Sequence, residues 1–190
     1  AQSLTILFSG LLVFFETRHA LNGGDAYAQT SSLIEQGLFA TSALLFAIVL
    51  TRLDLRRASP VFNVASMIFG AIALAVSALG LAVFANPLIA CDKVEGGTVF
   101  NALLIAYLLP AILAAALMRM SRATRPAWYV TAAGVLSLAL LFLYACLQTR
   151  RFFQGADICE SRGMGDIEIW AYSAVWLALG ALLLLYGVWR

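Results

Sequence analysis

The residues able to do chemistry are few, and two groups of them repeat one order. Near the start the chain reads Thr17-Arg18-His19-Ala20-Leu21-Asn22-Gly23-Gly24-Asp25, and further on Thr149-Arg150-Arg151-Phe152-Phe153-Gln154-Gly155-Ala156-Asp157. Thr, Arg, Gly and Asp coincide, and Asn stands opposite Gln. Each run is followed by an apolar stretch that opens with an acid four residues before an aromatic ring, Glu35 with Phe39 and Glu168 with Tyr172. On a helix such a pair shares one face. A single extra residue in the second loop completes the alignment. Guanidinium and carboxylate in this order offer an ion pair that joins helices, a cradle for a polar or phosphorylated group, or acid–base work by a buried carboxyl. Glu16 adds a further carboxylate, but its offset from Arg18 turns it about 200° around the helix.

Each residue also has an ordinary role. An Arg at a span end snorkels to the headgroups, Gly makes the turn, and Asp25 or Asp157 caps a helix or bends a loop. The acids at Glu35 and Glu168 fit this account poorly, because an ionised carboxylate within hydrocarbon costs about 2.5–3.5 kcal/mol. They call for partners, and Arg18 and Arg150 are the expected ones, within each hairpin or across the pair.

The elements that must position these residues are membrane helices. Of 190 residues 63% are hydrophobic and 12% charged, against roughly 45–50% and 25% in soluble globular chains. Mean hydropathy is +0.92. With about 20 residues needed to cross the hydrocarbon, six spans are expected: Leu4–Asn22, Ser32–Leu53, Pro60–Phe84, Val99–Met118, Pro126–Gln148 and Ile167–Trp189. The runs lack the alternation of a transmembrane barrel strand. The expected fold is therefore an all-α polytopic bundle, one transmembrane domain over 1–190 built from hairpins 1–58, 59–122 and 123–190. The first and third hairpins form a parallel repeat, a relation found in transporters and also left by plain duplication.

Charge sets the expected orientation. Arg52, Arg56, Arg57, Arg119, Arg122, Arg125 and Arg190 gather on one face with Asp54 as the single acid, whereas every other acid falls on the opposite face with Arg18, Lys93, Arg150, Arg151 and Arg162. The excess of Arg marks the cytoplasmic side. Both termini are thus expected inside, with the acidic loops outside, in the periplasm if the membrane is a bacterial inner membrane. The start has no positive n-region and no Ala-x-Ala site, and the abrupt ends suggest a segment of a longer polytopic chain. A net charge of +2 gives no footprint for nucleic acid. The lipid bilayer is the expected partner, with other membrane subunits or further spans of a parent chain as additional ones.

Cys91 and Cys159 both fall in outer loops, and Cys146 lies near the outer end of the fifth span. An oxidising compartment permits a disulfide. Cys91–Cys159 is favoured and would constrain the unfolded chain by roughly 4 kcal/mol; Cys146–Cys159 competes, and three free thiols are the remaining alternative. With His19 the lone histidine and no ligand spacing among the cysteines, neither metal nor cofactor is expected. In the fourth span Asn101, Tyr107 and Pro110 interrupt the apolar surface: Pro110 should kink the helix, and Asn101 either lines a cavity or bonds a neighbouring helix. Small residues from Ala65 to Gly80 and from Ala111 to Ala116 suit close helix contact. Trp128, Tyr129, Trp170, Tyr172, Tyr186 and Trp189 suit an interfacial belt. Nucleophile-elbow, phosphate-loop and zinc-protease motifs are missing, and Gly23-Gly24 and Gly96-Gly97 fall short of a nucleotide fingerprint.

Three stretches resemble a known family: LLVFFETRHALNGG, the segment from Gly96 to Met120 and the closing run from Glu168 to Arg190. With Val99-Phe100-Asn101 through Tyr107-Leu108-Leu109-Pro110 as the most specific piece, the chain is similar to the large bacterial membrane proteins grouped as domain of unknown function 2339. The resemblance implies a segment from a long array of spans, and it implies no catalytic residue. The reading that results is a membrane module whose polar residues Glu16, Arg18, Asp25, Glu35, Asn101, Arg150, Asp157 and Glu168 form an outward-facing cluster. That cluster binds a polar solute or headgroup, in a transport-associated role, or pairs helices. The alternatives are a periplasm-facing enzyme acting on a lipid-linked or envelope substrate, and an accessory subunit of a larger membrane complex.

Overall fold

The computed structural model describes residues 2–28, 31–159 and 163–189. Six helices are long and apolar enough to cross a membrane. In chain order the α-helices are α1 (Gln2–Leu21), α2 (Leu33–Arg56), α3 (Pro60–Ala75), the short α4 (Pro87–Ala90), α5 (Leu109–Ser121), α6 (Ala127–Gln154) and α7 (Asp166–Val188). Two π-helical segments complete the third and fourth spans, Val76–Phe84 after α3 and Leu104–Leu108 before α5. Among the described residues there is no strand, only an isolated bridge between Gly96 and Asn101. Glu160, Arg162 and Arg190, which the charge distribution assigns to a face, lie outside the described residues.

The core is the seam where α2 meets α3 and α5, with α6 packed against α5. Ala40, Leu44, Ala47, Ala106, Tyr107, Ala114 and Leu140 are fully or almost fully buried there. Without a hydrophobic drive between helices in lipid, contact depends on small residues that let backbones approach. A Cβ on Gly37 would stand 2.6 Å from the Cα of Ala106, so only glycine fits that crossing. Ser66, Ala73, Ser77 and Gly80 are the small residues of the third span that turn inward, while Ala75 and Ala78 face out. By contrast α1 buries no residue, and α7 buries only Glu168. These outer helices are joined to the bundle by ring contacts, Phe14–Phe39 and Phe142–Trp176, and by polar contacts at one end.

Several boundaries differ from expectation. Residues 149–154 are helical, extending the fifth span to Gln154, because the first residue that breaks the helix is Gly155. The fourth span starts later than Val99, since 98–100 form a bend, and Asn101 precedes the helix rather than lying within it. Pro110 stands in the first turn of α5, directly after the π-helical turn whose closing bond runs from the Leu109 N–H to the Leu104 carbonyl. A wider turn absorbs the hydrogen bond that proline cannot donate. Tyr129 is not a belt residue: it is buried, its hydroxyl donates to the Ser66 carbonyl at 3.0 Å, and its ring fills the space beside Gly70. Trp128, Trp170 and Trp189 remain exposed at helix ends.

Candidate functional site

The polar residues assemble as two separate clasps rather than one cluster, each closed within its own hairpin. In the first, α1 ends with Arg18 pointing into the loop that follows. Its Nε donates to the Ala26 carbonyl at 2.8 Å, and its Nη2 to the Ala28 carbonyl. Its Nη1 stands 3.0 Å from Oε1 of Glu35. The second Glu35 oxygen accepts from the Asn22 side-chain amide at 3.3 Å. Glu35 lies in the first turn of α2, where Ser32 caps the helix by accepting from the Glu35 N–H at 3.2 Å. The acid therefore sits at a helix N-terminus, where the backbone dipole favours negative charge.

The second clasp repeats these contacts. Arg150 Nε donates to the Ile158 carbonyl at 2.8 Å, Nη2 to the Cys159 carbonyl at 2.7 Å and Nη1 to Glu168 Oε1 at 3.2 Å. Gln154 donates to Glu168 Oε2 at 2.8 Å, the part played by Asn22 in the first. Asp25 and Asp157 each accept from the backbone N–H two residues on, those of Tyr27 and Cys159, and so shape their loops. The turn into each loop passes through a glycine at positive φ, Gly23 at 62° and Gly155 at 76°, a conformation other residues adopt at a cost. Glu16 is exposed and belongs to neither clasp.

Asn101 joins a third arrangement at the same end of the bundle. Its amide donates to the Thr98 carbonyl at 3.2 Å and to Gln148 Oε1 at 3.0 Å, linking the start of the fourth span to α6. Gln148 in turn donates to the Thr98 carbonyl at 2.6 Å. Arg151, whose role the sequence did not disclose, is buried and spends its donors on carbonyls of the middle loop: Val94 at 2.7 Å, Gly96 at 2.6 Å, and Gly97 at 3.1 and 3.3 Å. A disulfide between Cys91 and Cys159, with Cα atoms 4.6 Å apart, ties the same loop to the strand of chain that Arg150 grips. Cys146 is the free cysteine and receives the Trp176 indole N–H at 3.4 Å. At the opposite end Arg125 pairs with Asp54 at 2.7 Å, joining the end of α2 to the turn before α6.

Chemically, each clasp offers an Arg and a Glu whose strongest bonds are already made inside the protein. The carboxylates are buried, Glu35 at 0% and Glu168 at 2% exposure. No curated protein and no solved structure matches the chain. A family model described as a predicted membrane protein, DUF2339, matches residues 1–190, in keeping with the six apolar helices. The chain belongs to the predicted membrane protein family DUF2339.

Proposed function

We propose that this chain is a non-catalytic membrane packing module in which the Arg18–Glu35 and Arg150–Glu168 pairs work as clasps that close the first and third hairpins. The observation that carries this reading is the internal pairing of the groups: each guanidinium engages two loop carbonyls and its own glutamate, and each glutamate also takes a side-chain amide from the preceding turn. A buried charge matched in this way fixes geometry, and removing either partner leaves the other unpaired. The matched contacts also support treating the two hairpins as copies of one parallel unit. The loop charges support an orientation with both termini in the cytoplasm and the clasps on the outer side of an inner membrane.

A second reading, binding of a small polar solute at the first clasp, has one observation in its favour. Glu35 Oε1 is buried beside Arg18 but receives no well-aligned N–H. Thermal unfolding of the purified protein in detergent separates the two readings. Under the packing reading Glu35→Gln and Glu168→Gln each lower the unfolding temperature, and millimolar phosphate, carboxylates or simple cations leave the wild type unchanged. A solute that raises the unfolding temperature of the wild type but not of Glu35→Gln would establish binding and remove the packing reading at that site.

A further inference from the structure

Below the first clasp, a groove of about 720 Å³ lies between α1, α2 and α3, within the roughly 300–1,000 Å³ of small-ligand sites. Its walls are apolar, with Leu7 and Leu11 of α1 facing Phe46 of α2 and Val64 and Ile68 of α3. It is closed above by the Phe14–Phe39 stack, with ring centroids 4.9 Å apart, one helical turn from Arg18 and Glu35. Its other end lies between the starts of α1 and α3, at Ser3 and Pro60, where Ser59 donates to the Gln2 side chain at 3.5 Å. That end is the basic end of the bundle. Arg56 and Arg57, directly before this mouth in the chain, are exposed and enter no ion pair among the described residues.

We propose that this groove seats an acyl chain of an anionic phospholipid whose phosphate is held by Arg56 and Arg57. An apolar slot inside the membrane has only lipid tails or protein to fill it, and water gains nothing there. The occupant is identified by charge complementarity: the slot reaches Pro60, four residues or fewer along the chain from the exposed Arg56 and Arg57, on the basic end of the bundle that suits an anionic headgroup. The small lining residues Gly10, Ser42 and Ala65 keep the slot open.

The test uses the protein in phosphatidylcholine nanodiscs doped with phosphatidylglycerol or phosphatidylcholine carrying a photoreactive acyl chain, with the label mapped by peptide mass spectrometry. Peptides of α1 and α3 that line the groove should be labelled by the phosphatidylglycerol probe roughly thirtyfold more than by the phosphatidylcholine probe, as expected for two Arg contacts at the surface. Joint Arg56→Gln and Arg57→Gln substitution should bring that ratio close to one. Ala65→Phe, or Ser42→Phe if the first does not fold, should suppress groove labelling while leaving labelling of α7 intact. Glycerophosphate, which carries the phosphate without a chain, should not compete. Equal labelling of the groove and of α7, equal use of both probes by the wild type, effective competition by glycerophosphate, or an unlabelled groove covered by protein would each overturn the proposal.

Discussion

The two clasps are built from the same donors and acceptors, yet one is sealed and the other is partly open. In the third hairpin both charged side chains are 2% exposed, Arg151 pins the middle loop beside them, and the Cys91–Cys159 disulfide locks that loop in place. In the first hairpin Arg18 is 14% exposed, and the position of Arg151 is taken by the exposed His19. The difference teaches that the motif supplies the pairing while the neighbouring loop supplies the burial. Burial, in turn, sets the cost of losing a partner, since an orphaned charge that water cannot reach is the expensive one.

That contrast can be broken at its strongest point first. Arg150→Ala should destabilise the protein by about 3–5 kcal/mol, because Glu168 and the Ile158 and Cys159 carbonyls all lose a buried donor. Denaturation in detergent followed by Trp fluorescence measures it, and a loss no larger than that of Arg18→Ala would erase the distinction. Removing the cross-link with Cys91→Ser and Cys159→Ser should cost up to about 4 kcal/mol. It should also bring the second clasp closer to the first in hydrogen exchange at residues 156–159. Arg18→Ala should cost less, about 1–3 kcal/mol, since truncating the more exposed partner lets water reach Glu35. Smallest are the amide contacts: Gln154→Ala and Asn22→Ala should each cost about 1 kcal/mol, the first more than the second in line with bonds of 2.8 and 3.3 Å. A reversed order would show that the amides are placed by their turns and not by the glutamates.

Much of this was legible in the sequence, for identifiable reasons. Six spans follow from hydropathy alone, and the recurring order named Arg18 and Arg150 as partners for Glu35 and Glu168, but whether they pair within or across hairpins was open until the side-chain contacts placed each pair in its own hairpin. Loop positions favoured Cys91–Cys159 but left Cys146–Cys159 and free thiols open, and the 4.6 Å Cα separation of Cys91 and Cys159 decides between them. The misses are equally specific. Arg150 and Arg151 served as punctuation for the end of a span, although a helix tolerates charge and stops only at Gly155. Val99 and Phe100 are apolar and so joined the fourth span, but they belong to the bend that carries Asn101. Tyr129 sits where an interfacial ring would, and only the glycine opposite it on α3 decides that it turns inward. The π-helical segments leave no periodic trace, and Pro110 was the lone hint of one. Arg151 was hidden because its acceptors are backbone carbonyls of a distant loop, which every residue possesses.

The most direct test of the two-clasp account is a set of double-mutant cycles on unfolding free energy, with Arg18→Gln and Arg150→Gln each combined with Glu35→Gln and Glu168→Gln. The account predicts coupling of about 1 kcal/mol or more within each hairpin, larger in the third, and additive effects for Arg18 with Glu168 and Arg150 with Glu35. Coupling across the hairpins would contradict it, because the four residues would then share one site.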